Sequence, residues 1–221
     1  MSQHVTHVYL MPGMCASPII FEYIKLPQAY QVHWLEWFTP NTNESLSSYA
    51  KRMTEKIKHK HCVLIGVSFG GILVQEMSKF ITPKKLIIIS SVKSNKELPN
   101  KMKLAKRTKA YKLLPTGFVS KSNIELLAKY ALGVKVPKRL ELYKKYLSVS
   151  DKKYLDWAID NMLNWHQDRV IPDIIHIQGD KDPVFPIKNI ENCIIVKGGT
   201  HVMIINKFKW FNENLPILLE S

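Results

Sequence analysis

The sequence predicts an α/β fold: a mostly parallel, doubly wound sheet of about six strands, with an all-helical insertion. Three observations predict it. Apolar runs such as Cys62-Val63-Leu64-Ile65-Gly66-Val67 and Leu86-Ile87-Ile88-Ile89 do not alternate, as expected of strands covered on both faces. Helical patterns fall between these runs. The first run also ends in Gly66-Val67-Ser68-Phe69-Gly70, a Gly-x-Ser-x-Gly turn that leads at once into a helical pattern.

In chain order, His7-Val8-Tyr9-Leu10 reads as a short strand ending at Pro12-Gly13, and residues 17–25 as a brief helix stopped by Pro27. Gln31-Val32-His33-Trp34-Leu35 reads as a second strand. Leu46, Tyr49, Ala50, Met53 and Ile57 share one face of an amphipathic helix. After the serine turn, Leu73, Met77 and Phe80 mark the buried face of the next helix. From 92 to 169 the rhythm changes to basic helical stretches, over roughly 101–114, 123–132, 138–147 and 151–165, punctuated by Pro99, Pro115, Pro137 and Pro172. Strands resume at Ile174-Ile175-His176-Ile177 and Cys193-Ile194-Ile195-Val196, followed by a closing helix near 203–212. The expected organisation is a core of residues 1–91 and 170–221 with a basic helical cap, 92–169, inserted in it.

A chain of 221 residues that is 46% apolar has enough material for one α/β domain. Its three cysteines, Cys15, Cys62 and Cys193, are too scattered for a disulfide framework or a Cys-x-x-Cys metal site, so a reducing, cytoplasmic setting is expected. The opening residues carry no basic stretch followed by a long apolar one, and no signal peptide is expected. No apolar run reaches the roughly 18 residues that span a bilayer. The formal net charge is +14, and residues 93–169 hold 18 Lys/Arg against 7 Asp/Glu. A solvated lysine-rich surface accounts for this; the sharper readings are an acidic substrate or a membrane surface. Nucleic acid is the weakest partner class, because clustered Arg with interleaved aromatics is missing.

A serine hydroxyl near neutral pH needs a base to become nucleophilic, and the base needs an acid to orient it. In a doubly wound sheet such groups come from loops at the carboxyl ends of strands. Two loops have the right content: Gln178-Gly179-Asp180-Lys181-Asp182-Pro183 and Lys197-Gly198-Gly199-Thr200-His201. Serine, acid and histidine thus occur in the order Ser68, Asp182, His201, each just past an expected strand. Asp180 is an alternative acid, and Asp182 could instead cap the turn before Pro183.

On Pro12-Gly13-Met14, Gly66-Val67-Ser68-Phe69-Gly70-Gly71, Gly179-Asp180-Lys181-Asp182-Pro183 and Gly198-Gly199-Thr200-His201, the chain resembles the α/β-hydrolase superfamily in its compact, helically capped form. The resemblance runs over essentially the whole length. It implies Ser68 as nucleophile, His201 as general base and acid, and Asp182, chosen over Asp180 by its position in the Gly-x-x-Asp pattern, as the orienting acid. It also implies an oxyanion hole made by the backbone N–H groups of Phe69 and Met14. The early loop departs from the family, with Met-Pro-Gly where His-Gly is common, and the sheet starts late, without the usual first two antiparallel strands.

The dinucleotide fingerprint fails because Ser68 replaces its central glycine, and a P-loop fails for lack of Gly-Lys-Ser/Thr. The pairs His4/His7 and His59/His61 show no metal-ligand partners in the sequence, and His176 reads as a strand residue, so no metal is expected. Cys15, Trp157, Trp165 and Phe185 read as packing, the aromatics also as a candidate acyl pocket. The expected function is a cofactor-free serine hydrolase that cleaves a carboxylic ester or thioester through an acyl-enzyme, anionic substrates being the class the basic cap favours. The competing expectation is a non-catalytic binding protein that docks an acidic partner or membrane surface through the cap.

Overall fold

The computed structural model describes residues 5–113, 116 and 145–220. The helix expected over 123–132, and most of that over 138–147, lie outside the described residues. Six strands form a single sheet: β1 (Thr6–Met11), β2 (Tyr30–Trp34), β3 (Val63–Val67), β4 (Lys85–Ile89), β5 (Ile175–Gly179) and β6 (Ile194–Val196). The spatial order is β2-β1-β3-β4-β5-β6 and every adjacent pair is parallel. Each strand lies within a residue or two of its expected place.

Parallel strands need helices on both faces, and the pattern of buried side chains shows both. Val8 and Leu10 of β1 point into one layer, with Phe211, Leu215 and Leu219. Tyr9 and Met11 point into the other, with Tyr49, Met53 and Leu73. The first layer is completed by a 3-10 turn at Pro18–Phe21 and by helices α5 (Met203–Asn206) and α6 (Phe208–Glu220). The second is completed by α1 (Leu46–Thr54), α2 (Phe69–Met77) and α4 (Lys152–Asn164). Helix α3 (Asn100–Thr108) buries none of its residues among those described.

Local chemistry sets several helix ends. Ser45 caps α1, its Oγ accepting the Ser48 N–H at 3.1 Å, and Asp151 caps α4 by accepting from the Tyr154 N–H at 2.7 Å. Two expectations differ from the structure. Helix α2 is buried on every side and ends at Met77, so Phe80 lies beyond it and is 42% exposed. The closing helix is split at Lys207 and continues through Pro216 to Glu220. Proline deprives a helix of one hydrogen bond, but burial of Leu215 and Leu219 on the sheet outweighs that loss.

The chain segments around 92 and 167 are joined side by side. Gln75 of α2 donates to the Val92 carbonyl at 2.9 Å and accepts from Gln167 Nε2 at 2.9 Å. Gln167 Nε2 also donates to the Lys93 carbonyl (2.8 Å), and its backbone N–H donates to Asn95 Oδ1 (3.0 Å). Next to them, Trp165 Nε1 donates to Glu76 Oε1 at 2.8 Å.

Sheet order also locates a crevice. From β1 the chain moves outward to β2, then returns across β1 to β3, so the loops after β1 and β3 diverge at their carboxyl ends. Gly13 and Ser68 both lie there. The burial pattern predicts that Leu73→Ala lowers stability by about 2–5 kcal/mol, whereas Phe80→Ala costs about 1 kcal/mol at most, as read from equilibrium urea unfolding.

Candidate active site

Ser68 occupies the turn between β3 and α2 with a φ of 54° and a ψ of −123°, a backbone conformation that L residues rarely adopt. Strain of this kind costs on the order of 1–3 kcal/mol and persists only where the surroundings enforce it. Here they do. A Cβ on Gly66 would lie 2.3 Å from the Gly70 carbonyl oxygen, and one on Gly70 would lie 2.3 Å from the Pro12 oxygen. The turn is therefore compressed between its own helix and the loop after β1, at contacts only glycine allows. Ser68 N–H donates to the Ile89 carbonyl at 2.9 Å, and Ser91 Oγ donates to the Ser68 carbonyl at 2.7 Å.

This geometry brings three of the sequence-predicted residues together. Ser68 Oγ lies 2.9 Å from His201 Nε2, and His201 Nδ1 lies 2.9 Å from Asp182 Oδ2 and 3.1 Å from Oδ1. The loops that carry acid and histidine are pressed together, because a Cβ on Gly179 would fall 2.2 Å from the Gly199 carbonyl oxygen. The Phe185 ring meets the His201 ring edge-on, with centroids 5.6 Å apart. His201 is thus held between a carboxylate, a hydroxyl and an aromatic wall.

Asp182 is buried and its carboxylate is richly solvated by the protein. Oδ1 accepts from the Val184 and Phe185 N–H groups at 2.8 and 3.0 Å, and Oδ2 accepts from Gln178 Nε2 at 3.0 Å. Burial pushes its pKa up, but the His201 imidazole and the two amides together outweigh burial and hold the carboxyl below its ordinary value. Asp180 does something else: its Oδ1 accepts from the Gly198 N–H at 2.6 Å, bracing the turn after β6. Gln178 was not singled out by the sequence, nor was Ser91. Each is an ordinary polar residue whose importance comes from what the sheet places beside it.

The loop after β1 flanks Ser68, since a Cβ on Gly13 would stand 3.5 Å from Ser68 Cβ. Trp37 Nε1 donates to the Gly13 carbonyl and Tyr154 Oη donates to the Met14 carbonyl, both at 2.8 Å. Phe69 is the first residue of α2, where an amide has no acceptor within its own helix. The Phe69 ring stacks on Trp37 and takes Trp157 against its edge, so the aromatics form one packed group above this loop. Trp165 and Phe185 are buried in the same layer. Burial raises the Cys15 thiol to about 12, leaving it protonated and unreactive at neutral pH. Burial lowers His176 to about 4, so it is a neutral ring, and its Nε2 lies 3.3 Å from Gln178 Oε1.

A parallel, doubly covered sheet with a serine on a strained strand-to-helix turn has the α/β-hydrolase fold. No family model matches the sequence, and comparison with the curated proteins finds no match either. Solved structures are similar over nearly the whole chain. An esterase from Exiguobacterium antarcticum has a TM-score of 0.74 at 18% identity, covering 98% of this chain and 92% of that one. A bromoperoxidase from Bacillus anthracis has a TM-score of 0.67 at 19% identity, covering 98% and 92%. An alpha/beta hydrolase fold protein from Burkholderia ambifaria has a TM-score of 0.68 at 13% identity, covering 96% and 90%. Among the described residues this chain's sheet is parallel throughout.

The carboxyl of Asp182 has consequences for stability. Its folded pKa is below the reference value of 3.8, so the charged form stabilises the fold above that value. The contribution is lost as pH falls through the folded pKa. In urea unfolding at a series of pH values, the stability gap between wild type and Asp182→Asn is therefore expected to be widest near neutrality and to shrink below about pH 4.

Proposed function

We propose that this protein is a serine hydrolase that cleaves a carboxylic ester or thioester of a small substrate through an acyl-enzyme. The observation that carries the reading is the unbroken relay from Ser68 Oγ to His201 Nε2 (2.9 Å) and from His201 Nδ1 to Asp182 Oδ2 (2.9 Å). The esterase among the similar structures supports the same class of reaction.

In this reading, Ser68 Oγ attacks the substrate carbonyl carbon while His201 Nε2 accepts the hydroxyl proton. The carbonyl electron pair moves onto oxygen, where the Phe69 and Met14 N–H groups would stabilise the charge, at about 3–4 kcal/mol per donor in well-studied cases. Collapse of the tetrahedral adduct breaks the bond to the alkoxide or thiolate, which takes the proton from His201. Water, deprotonated in turn by His201, then attacks the acyl-enzyme and releases the carboxylic acid, restoring the Ser68 hydroxyl. Asp182 remains an anion throughout, fixing the imidazole tautomer and favouring the imidazolium. Its two amide donors and Gln178 supply the reason: they stabilise charge on the carboxylate and give a proton no advantage there.

Residues 92–169 are proposed to cap the site and set the acyl pocket, with the Trp37, Phe69 and Trp157 rings as part of its wall. A cytoplasmic setting belongs to the same reading, supported by three cysteines that are all free thiols.

Ser68→Ala is expected to abolish both turnover of short p-nitrophenyl esters and labelling by a fluorophosphonate. Asp182→Asn is expected to lower kcat by about 10⁴-fold through the wrong imidazole tautomer. Asp180→Asn is expected to stay near wild type. Fluorophosphonate labelling that persists at another residue in Ser68→Ala would overturn the assignment.

A further inference from the structure

A second cluster of titratable side chains lies at the other end of β1. His7 of β1, His33 of β2 and His59, in the loop between α1 and β3, each offer one ring nitrogen within 4.8 Å of the other two. Nothing in the local sequence joins them: two come from neighbouring strands and the third from a loop folded over that face. All three are half-buried, with one side toward solvent. We infer that His7, His33 and His59 form a binding site for a borderline transition-metal cation, Zn²⁺ being the representative, that ties the edge strand β2 to β1 and to the loop before β3.

The donor set points to this class. Three neutral imidazoles suit Zn²⁺, Ni²⁺ or Cu²⁺, whereas Mg²⁺ and Ca²⁺ require oxygen ligands. Tetrahedral Zn–N bonds of about 2.0–2.1 Å place ligating nitrogens about 3.3 Å apart, so the wider separations in the cluster need to close by up to about 1.5 Å. His7 Nδ1 and His33 Nε2 are already 2.9 Å apart. The His7 and His59 rings are stacked, with centroids 3.4 Å apart and planes inclined by 11°. Coordination asks these two rings to tilt apart about their Cβ–Cγ bonds, a soft torsion for histidine.

The surroundings hold the rings as a metal site requires. Tyr9 Oη lies 2.7 Å from His59 Nδ1 and accepts from the Lys58 N–H at 2.9 Å, while the Tyr9 ring stacks on His33. With the proton of His59 on Nδ1 and donated to Tyr9, its Nε2 is free to ligate, the arrangement by which outer groups orient metal-binding histidines. The Lys58 ammonium is engaged elsewhere, since its Nζ donates to the Glu55 carbonyl at 3.0 Å. The half-buried position leaves room for water as the remaining ligand. From His7 to Met11 the strand alone spans about 13 Å, so a cation here is structural and takes no part in the Ser68 chemistry.

The test is titration of the purified full-length protein, stripped with chelator, with Zn²⁺ by calorimetry and with Co²⁺ by visible absorption. The wild type is expected to bind a single Zn²⁺ with a Kd well below about 100 μM and to unfold at higher temperature when loaded. His33→Gln and His59→Gln are each expected to weaken binding by at least about 100-fold and remove the thermal shift, Tyr9→Phe to weaken it by about 10-fold. His166→Gln, at an exposed histidine elsewhere, is expected to change nothing. Should either ligand variant not fold, the Co²⁺ spectrum of the wild type decides, intense d–d bands marking a four-coordinate nitrogen site. Failure of the wild type to bind below about 100 μM, or wild-type affinity in either folded ligand variant, would overturn the inference.

Discussion

Backbone pressed against backbone at the turn after β3 is the constraint on which this architecture depends. Gly66 abuts the Gly70 carbonyl, and Gly70 abuts the loop after β1, so the serine between them has no room to relax its backbone. The φ of 54° at Ser68 is the result. That strain is local and small, on the order of 1–3 kcal/mol, while β3 and α2 on either side are buried along their whole lengths. Burial of nine helical and five strand residues readily outweighs one unfavourable torsion, which is why the turn holds. The helix begins at once, and it fixes where the hydroxyl points and where the Phe69 amide sits.

A second balance operates at Asp182. Placing a carboxylate in a buried position opposes its charge, and the protein answers with two amides, a carboxamide and an imidazole. Those donors win, so the group is a fixed anion and not a proton store. Behind it, His176 is neutral and touches the carboxamide that touches the acid, so this ring brings no competing charge. The contrast with Cys15 is instructive, since its thiol has nothing comparable and burial alone silences it.

What the sequence made legible was what repeats or what punctuates. Unalternating apolar runs located the central strands β3 and β4, because a sheet covered on both faces leaves few polar positions to confuse the pattern. Glycines marked the tight contacts, and the loops after β5 and β6 supplied Asp182 and His201, of which His201 meets Ser68 and Asp182 meets His201. What escaped was decided by tertiary neighbours. Phe80 fits a helical period but falls after the helix ends, and the closing helix, expected near 203–212, runs on through Pro216 because its neighbours are buried. Gln178 and Ser91 have no motif. His33 gives no sign of belonging with His7 and His59, since only strand pairing and loop packing bring those rings together.

The clasp formed by Gln75, Lys93, Asn95 and Gln167 closes the intervening polypeptide into a loop at its neck. Once a neck is fastened, the entropy of the chain beyond it grows only logarithmically with length, about 0.6 kcal/mol for each doubling. A change of length in that stretch, made outside Tyr146 and the α4 residues Tyr154, Leu155 and Ala158 that pack on the sheet, thus places little thermodynamic load on the fold. A fold fastened in this way can vary the length of an insertion while leaving the turn at Ser68 untouched.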